Sequence, residues 1–282
     1  MGLAPILGGL TNRSFSFRLD GRAYVLRLPG PGAALVDRQA ERAAYRALSG
    51  AGLADELVAM DQAGARVTVF YDGARVARPD DDSDLAIALG LARRLHQMRW
   101  PAGRSFDLAG QIRRYERLCG ELGGAPYPDL ERQRARTAEL LELLGAIAAE
   151  AVFCHGDLNP DNVLILADGQ AKLIDWEYAG RADPLLDVAM YCLCSFFQRD
   201  RANLALRLYL GGEPTARQTA RFHLHLALGG YLCALWTHCA GQTGQTGQTG
   251  QSGSRFYAYA LEYYRLAQKW ADRDLTAARP SR

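Results

Sequence analysis

Short runs bounded by turn residues, one of them alternating apolar with polar positions, mark strands in the first seventy residues, and from Leu85 apolar positions recur at helical spacing. Leu3 to Gly9 reads as a short strand running into Gly8-Gly9-Leu10-Thr11-Asn12, after which Ser14 to Leu19 alternates and turns at Asp20-Gly21 into Arg22 to Leu28. Asp-Gly between two such runs is a strong hairpin signal, because a tight hairpin turn favours residues that tolerate positive φ. A helical pattern covers Arg38 to Leu48, and strands are expected at Glu56 to Met60 and Arg66 to Phe70. After Tyr71-Asp72-Gly73, helices are predicted at Leu85 to Met98, within Arg104 to Gly123, and over Leu130 to Ala149. The acidic run Asp80-Asp81-Asp82-Ser83-Asp84 supplies an N-cap and a favourable charge to the helix it precedes. His96, near that helix's end, reads as a packed, hydrogen-bonded histidine.

The pattern changes again from Phe153 to Cys192. Val152-Phe153-Cys154 enters as a strand, His155-Gly156-Asp157 turns sharply, and Pro160 argues against helix over Leu158 to Asn162. A hairpin from Val163 to Ile174, turning at Asp168-Gly169, then delivers Asp175 to the end of its second strand. Asp and Asn are common turn residues, so none of these carries an argument alone. Their order and spacing do: they match a base and two metal ligands around one transferred phosphoryl group. Asp157 would accept the proton of an attacking hydroxyl, while Asn162 and Asp175 would hold Mg²⁺ through a neutral and a charged oxygen. Asp187 is expected to brace this loop from the start of the next helix.

Phosphoryl transfer also needs a cation on the nucleotide phosphates and an acid that holds the cation. Arg27, charged within the apolar strand Tyr24 to Leu28, and Glu41 on the next helix fill those places. Gly8 and Gly9 let the backbone approach phosphate, and Thr11 and Asn12 add polar groups beside them.

The bulk composition narrows the partners. With 282 residues the chain is long enough for two lobes, taken here as 1–72 for the nucleotide and 73–282 for catalysis and acceptor binding. A formal net charge of +2 argues against a dedicated nucleic-acid binder and leaves a small-molecule substrate. No apolar run reaches the roughly 18 residues a membrane span needs, and the start lacks the basic n-region of a secretory signal, so no membrane partner is expected and the cytoplasm is the expected compartment. The six cysteines lie mostly in apolar stretches and read as free, packed thiols. Gly241 to Gly253, GQTGQTGQTGQSG, cannot bury a core and reads as a surface loop.

With these residues in view, the chain resembles the choline kinase branch of the aminoglycoside phosphotransferase-like kinases. The resemblance rests on GGLTNRSFSF (8–17), YVLRLPG (24–30), DRQAE (37–41), LH (95–96), CHGDLNPDNVLI (154–165) and IDWEYAG (174–180). It implies an α+β, two-lobe protein-kinase-like fold: a small antiparallel sheet with one main helix, then a larger, mainly helical lobe. It also implies ATP and Mg²⁺ as cofactors and an acceptor bearing a hydroxyl and a cationic amine. Choline is the first choice, then thiamine or ethanolamine, then an aminoglycoside, and the assembly would be a monomer or homodimer. A nucleotide-binding pseudokinase is the reading from a different class.

Relatives commonly carry residues before the first strand, which here begins almost at Met1. A quaternary ammonium is recognised by aromatic faces and carboxylates, so Tyr178, Glu177, Trp236 and Tyr259 are the candidate acceptor residues. Choline kinases use a Trp-x-x-Trp pair in the late helix, whereas the position three before Trp236 is Cys233.

Overall fold

Five antiparallel strands open the chain: β1 (Ala4–Ile6), β2 (Asn12–Leu19), β3 (Arg22–Pro29), β4 (Leu57–Met60) and β5 (Arg66–Val69), in spatial order β1-β2-β3-β5-β4. The β2–β3 turn is the expected one, with Asp20 at φ 50° and Gly21 at φ 78°. The structure is a computed structural model and describes residues 2–6, 12–30, 37–98, 104–122, 129–242, 254–263 and 265. Gly8, Gly9 and Thr11 lie outside the described residues, as do positions 243–253 of the Gly-Gln-Thr repeat.

Packing groups the chain into two units, Met1–Phe106 with Val152–Ala182, and Asp107–Ala151 with Asp183–Arg282. This is not the same division as the lobes expected at 1–72 and 73–282: residues 73–106 and the segment 152–182 group with the first sheet.

In the first unit, α1 (Arg38–Leu48) starts where the Asp37 carboxylate accepts from the N–H groups of Gln39 and Ala40, 3.0 Å each. It buries Glu41, Ala44, Tyr45 and Leu48, at the i, i+3, i+4, i+7 spacing of one helix face. Helix α2 (Asp82–Gln97) is capped by Asp81, which accepts from Ser83 and Asp84, so the acidic run does provide the N-cap. Asp84 itself turns inward and takes Arg75 at 2.5 and 2.8 Å. A small sheet orders β6 (Arg75–Val76), β8 (Val163–Ile165) and β9 (Ala171–Leu173), and β7 (Val152–Cys154) pairs with β10 (Gly180–Ala182). One expectation is corrected. Pro160 does not exclude helix from its loop: Pro160–Asn162 forms one 3₁₀ turn with proline at its first position, where the missing N–H leaves no helical bond unmade.

The second unit is helical: α3 (Leu108–Glu121), α4 (Leu130–Ala146), α5 (Leu185–Cys194), α6 (Arg199–Leu210), α7 (Ala216–Gln242) and a helix over 254–263. Gly229 and Gly230 allow α7 its close neighbours, because a Cβ would come within 2.7 Å of Leu193 Cδ1 at the first and 3.1 Å of Ala260 at the second. Asp187 is fully buried in the first turn of α5. All six cysteines are free thiols. Among the described residues no helix is long and apolar enough to cross a membrane.

Candidate active site

The segment 152–182 brings its polar residues together by backbone bonds rather than by side-chain attraction alone. From β7 the chain reaches Gly156 at φ 78°, where an added Cβ would sit 2.4 Å from the Tyr178 carbonyl oxygen. Only glycine meets both demands, a left-handed backbone and a close approach. The Asp157 N–H donates to His155 Nδ1 at 3.3 Å, and His155 Nε2 lies 2.9 Å from the Ile174 carbonyl oxygen. A carbonyl only accepts and an amide N–H only donates, so the imidazole carries its proton on Nε2. The fully buried Trp176 lies beside this ring, centroids 4.7 Å apart, and donates Nε1–H to the Leu173 carbonyl at 3.2 Å.

Asn162 is fixed at both ends. Its N–H donates to Asn159 Oδ1, its carbonyl accepts from the Ile174 N–H at 3.0 Å, and its side-chain NH₂ donates to Asp157 O at 2.9 Å and Asp157 Oδ2 at 3.2 Å. The residue after Ile174 is Asp175, in the left-handed region at φ 70°, ψ 67°. Two hard oxygen donors result: the Asn162 amide oxygen, whose NH₂ is committed to Asp157, and the ionised Asp175 carboxylate. That set fits a magnesium-type cation, which takes few protein oxygens and completes its shell with water and phosphate.

Around Asp175 lies a buried network of arginines and acids. Arg27 donates to Asp175 Oδ2 at 2.6 Å, and Arg66 approaches Asp175 Oδ1 at 3.4 Å. Burial works against the Asp175 charge, but Arg27 and Arg66 outweigh it and hold the carboxyl below the usual carboxylate range. Glu41, with no exposed surface, receives Arg66 and, at 2.8 Å, Arg38. Glu41 is thus paired with Arg66 and Arg38, and Arg27 with Asp175. Arg27 and Arg66 are direct cross-strand partners in β3 and β5, so both project from one face; Arg66 reaches α1 and Arg27 lies on Asp175.

Glu177 belongs to the same network, 3.7 Å from Arg38 and accepting from Asn12 Nδ2 at 3.4 Å. Burial, then the Asp175 charge, pushes its carboxyl well above the usual carboxylate range. Oxygens of Glu41, Asp175 and Glu177 all lie within 4.8 Å of one another. Arg66, Arg38 and Trp176 are the members that sequence reasoning missed. Arg66 carried one usable sign, a charge opening an otherwise apolar strand.

Of the acceptor candidates, Tyr178 is half-buried in the first unit. Trp236 and Tyr259 belong to the second, where Trp236 is half-buried on α7 and Tyr259 is buried, donating its hydroxyl to the Phe197 carbonyl at 2.7 Å. Tyr259 also lies against Tyr263, centroids 4.8 Å apart.

The chain is similar to known proteins over most of its length. Residues 2–223 match the phosphotransferase enzyme family. Protein LicA of Haemophilus influenzae is 26% identical over 248 residues, 82% of this chain and 71% of the relative. The crystal structure of choline kinase LicA from Streptococcus pneumoniae superposes with a TM-score of 0.80 at 24% identity, covering 92% of each chain. That of a choline/ethanolamine kinase family protein from Mesorhizobium loti gives 0.73 at 26% identity, covering 96% of this chain and 88% of the other. The α+β, protein-kinase-like fold expected from the motifs is borne out.

Proposed function

The chain belongs to the phosphotransferase enzyme family and acts on an alcohol group, and from that premise we propose that it transfers the γ-phosphoryl group of ATP to the hydroxyl of a small cationic amino alcohol, choline first. Thiamine and ethanolamine are the alternative acceptors, and an aminoglycoside comes after them. Asp157 takes the hydroxyl proton as the acceptor oxygen bonds to the γ-phosphorus and the bond from that phosphorus to the ADP oxygen breaks. Asn162 orients Asp157 through its NH₂ and, with Asp175, would hold Mg²⁺. When bound, the ion neutralises phosphate charge and aligns the leaving group. Arg27 meets the nucleotide phosphates, to which Gly8, Gly9, Thr11 and Asn12 are also assigned, and Glu41 keeps the arginine network in place. Trp236 and Tyr259, by similarity to choline kinases, and Tyr178 and Glu177, by their position just after Asp175, are assigned to the acceptor. Lobe 1–72 serves the nucleotide and 73–282 the chemistry, in a cytoplasmic monomer or homodimer.

The observation that carries this reading is the pair of hydrogen bonds that the Asn162 NH₂ donates to Asp157, made while the Asn162 carbonyl accepts from the N–H of the residue before Asp175. One backbone connection thus links the base to both metal-ligand positions. The choice of choline is supported by the two structural relatives, whose names specify choline kinase and choline/ethanolamine kinase. Steady-state turnover of choline, ethanolamine, thiamine and kanamycin with ATP and Mg²⁺ tests it. Choline should give the highest kcat/KM, and choline turnover no higher than background would reject the first choice.

A further inference from the structure

Arg66 holds a place that the expected catalytic set leaves unassigned. It is one of the most buried cations of the network, with 4% of its side chain exposed, and its two terminal nitrogens go to different carboxylates, Nη1 to Glu41 and Nη2 to Asp175. The Tyr45 ring lies against its guanidinium, 5.4 Å from the ring centroid, and fixes the group from a third side. Arg27, its cross-strand partner, is more open at 15% and is bound to Asp175. Two like charges directly opposite in a sheet repel, and so do two carboxylates within 4.8 Å. A planar fork between Glu41 and Asp175 relieves both repulsions at once, which a point charge cannot do.

We propose that Arg66 is a positioning residue that clamps Glu41 to Asp175 and thereby spares Arg27 for the nucleotide phosphates. Without the clamp, Arg38 still serves Glu41 at 2.8 Å, but the Asp175 charge falls on Arg27, which already donates to it at 2.6 Å. Arg27 would then be held on Asp175 more tightly and lost to the ligand. The link between sheet and helix thus runs from β5 to α1, and β3 keeps its arginine for exchange. This inference rests on the reading of Arg27 as the phosphate-binding cation.

The test is the affinity for ADP with Mg²⁺, by calorimetry, in the full chain carrying R27M, R66M, R27M/R66M and R66M/E41Q. A charge-assisted contact predicts that R27M weakens ADP about tenfold, and R66M should do nearly the same. The double variant R27M/R66M should bind no more than about twofold worse than R27M, because one contact cannot be lost twice. R66M/E41Q should not regain the loss, since Arg27 is held by the Asp175 charge, which this variant keeps. If R66M binds ADP as the parent does while R27M is weakened, or if the two losses multiply, the inference is overturned and the nucleotide role of Arg27 stands. If R27M itself is unchanged, the underlying reading falls. Should R66M fail to fold, R66K keeps one charge that can serve a single carboxylate, and the same non-additivity with R27M is expected at smaller amplitude.

Discussion

Asn162 donates twice to Asp157, to its backbone oxygen at 2.9 Å and to its carboxylate at 3.2 Å, so the geometry of the base is set by the neighbouring amide. Asp157→Asn keeps the shape and removes the proton acceptor. It should lower kcat by about 10²- to 10⁴-fold, the usual range for general-base removal, with ADP affinity nearly unchanged. Steady-state kinetics beside calorimetry would show it, and a kcat within a few-fold of the parent would exclude Asp157 as the base.

Gly156 is the next most constrained position. Gly156→Ala must place a Cβ where the Tyr178 carbonyl already stands, on a backbone with φ 78°. A loss of about 2 kcal/mol or more is expected from strain and steric conflict together. Urea denaturation reads the stability, and an unchanged midpoint would mean that the loop is looser than described.

His155 joins the loop to β9, yet makes no contact with the reacting group in the proposed mechanism. His155→Leu fills similar space and leaves the Ile174 carbonyl and the Asp157 N–H without the ring. About 1–3 kcal/mol is expected for each buried group so exposed. Denaturation should therefore show a clear loss, and kcat should fall through displacement of Asp157.

A pH effect is expected from the second unit. Burial, helped by the Arg199 charge, holds the His223 imidazole down at about 4, below its ordinary 6.5. A depressed histidine leaves the folded form with fewer protons than the unfolded one, so its stability contribution is complete above about pH 6.5 and is lost as pH falls towards 4. His223→Gln should flatten that part of the stability profile measured between those limits. A profile identical to the parent's would assign the acid sensitivity elsewhere.

Local chemistry made much of this legible in the sequence. The Asp20-Gly21 turn, α1, the acidic N-cap of α2 and the hairpin before Asp175 all follow from residues near one another in the chain. The ion-pair partners do not, because they depend on register. That Arg27 stands opposite Arg66 is fixed by the pairing of β3 with β5, which the alternation of either strand leaves open. The same holds for Glu177, read from its position as a group near the acceptor and found beside Asn12 and Arg38. Trp176 sits between two acids in the sequence and gave no sign that its ring would fill the space beneath His155.

The left-handed backbone at Asp175 limits which side chains this position can sample. Aspartate, asparagine and glycine enter that region at low cost, and a β-branched or bulky residue does so only with strain. Mutational drift at this point is therefore confined to a short alphabet. Within it only aspartate offers a charged oxygen; asparagine, one nucleotide away in the code, suits the backbone but withdraws the charge that answers Arg27 and Arg66. Substitution here thus strips the buried arginines of a partner even where the backbone is undisturbed.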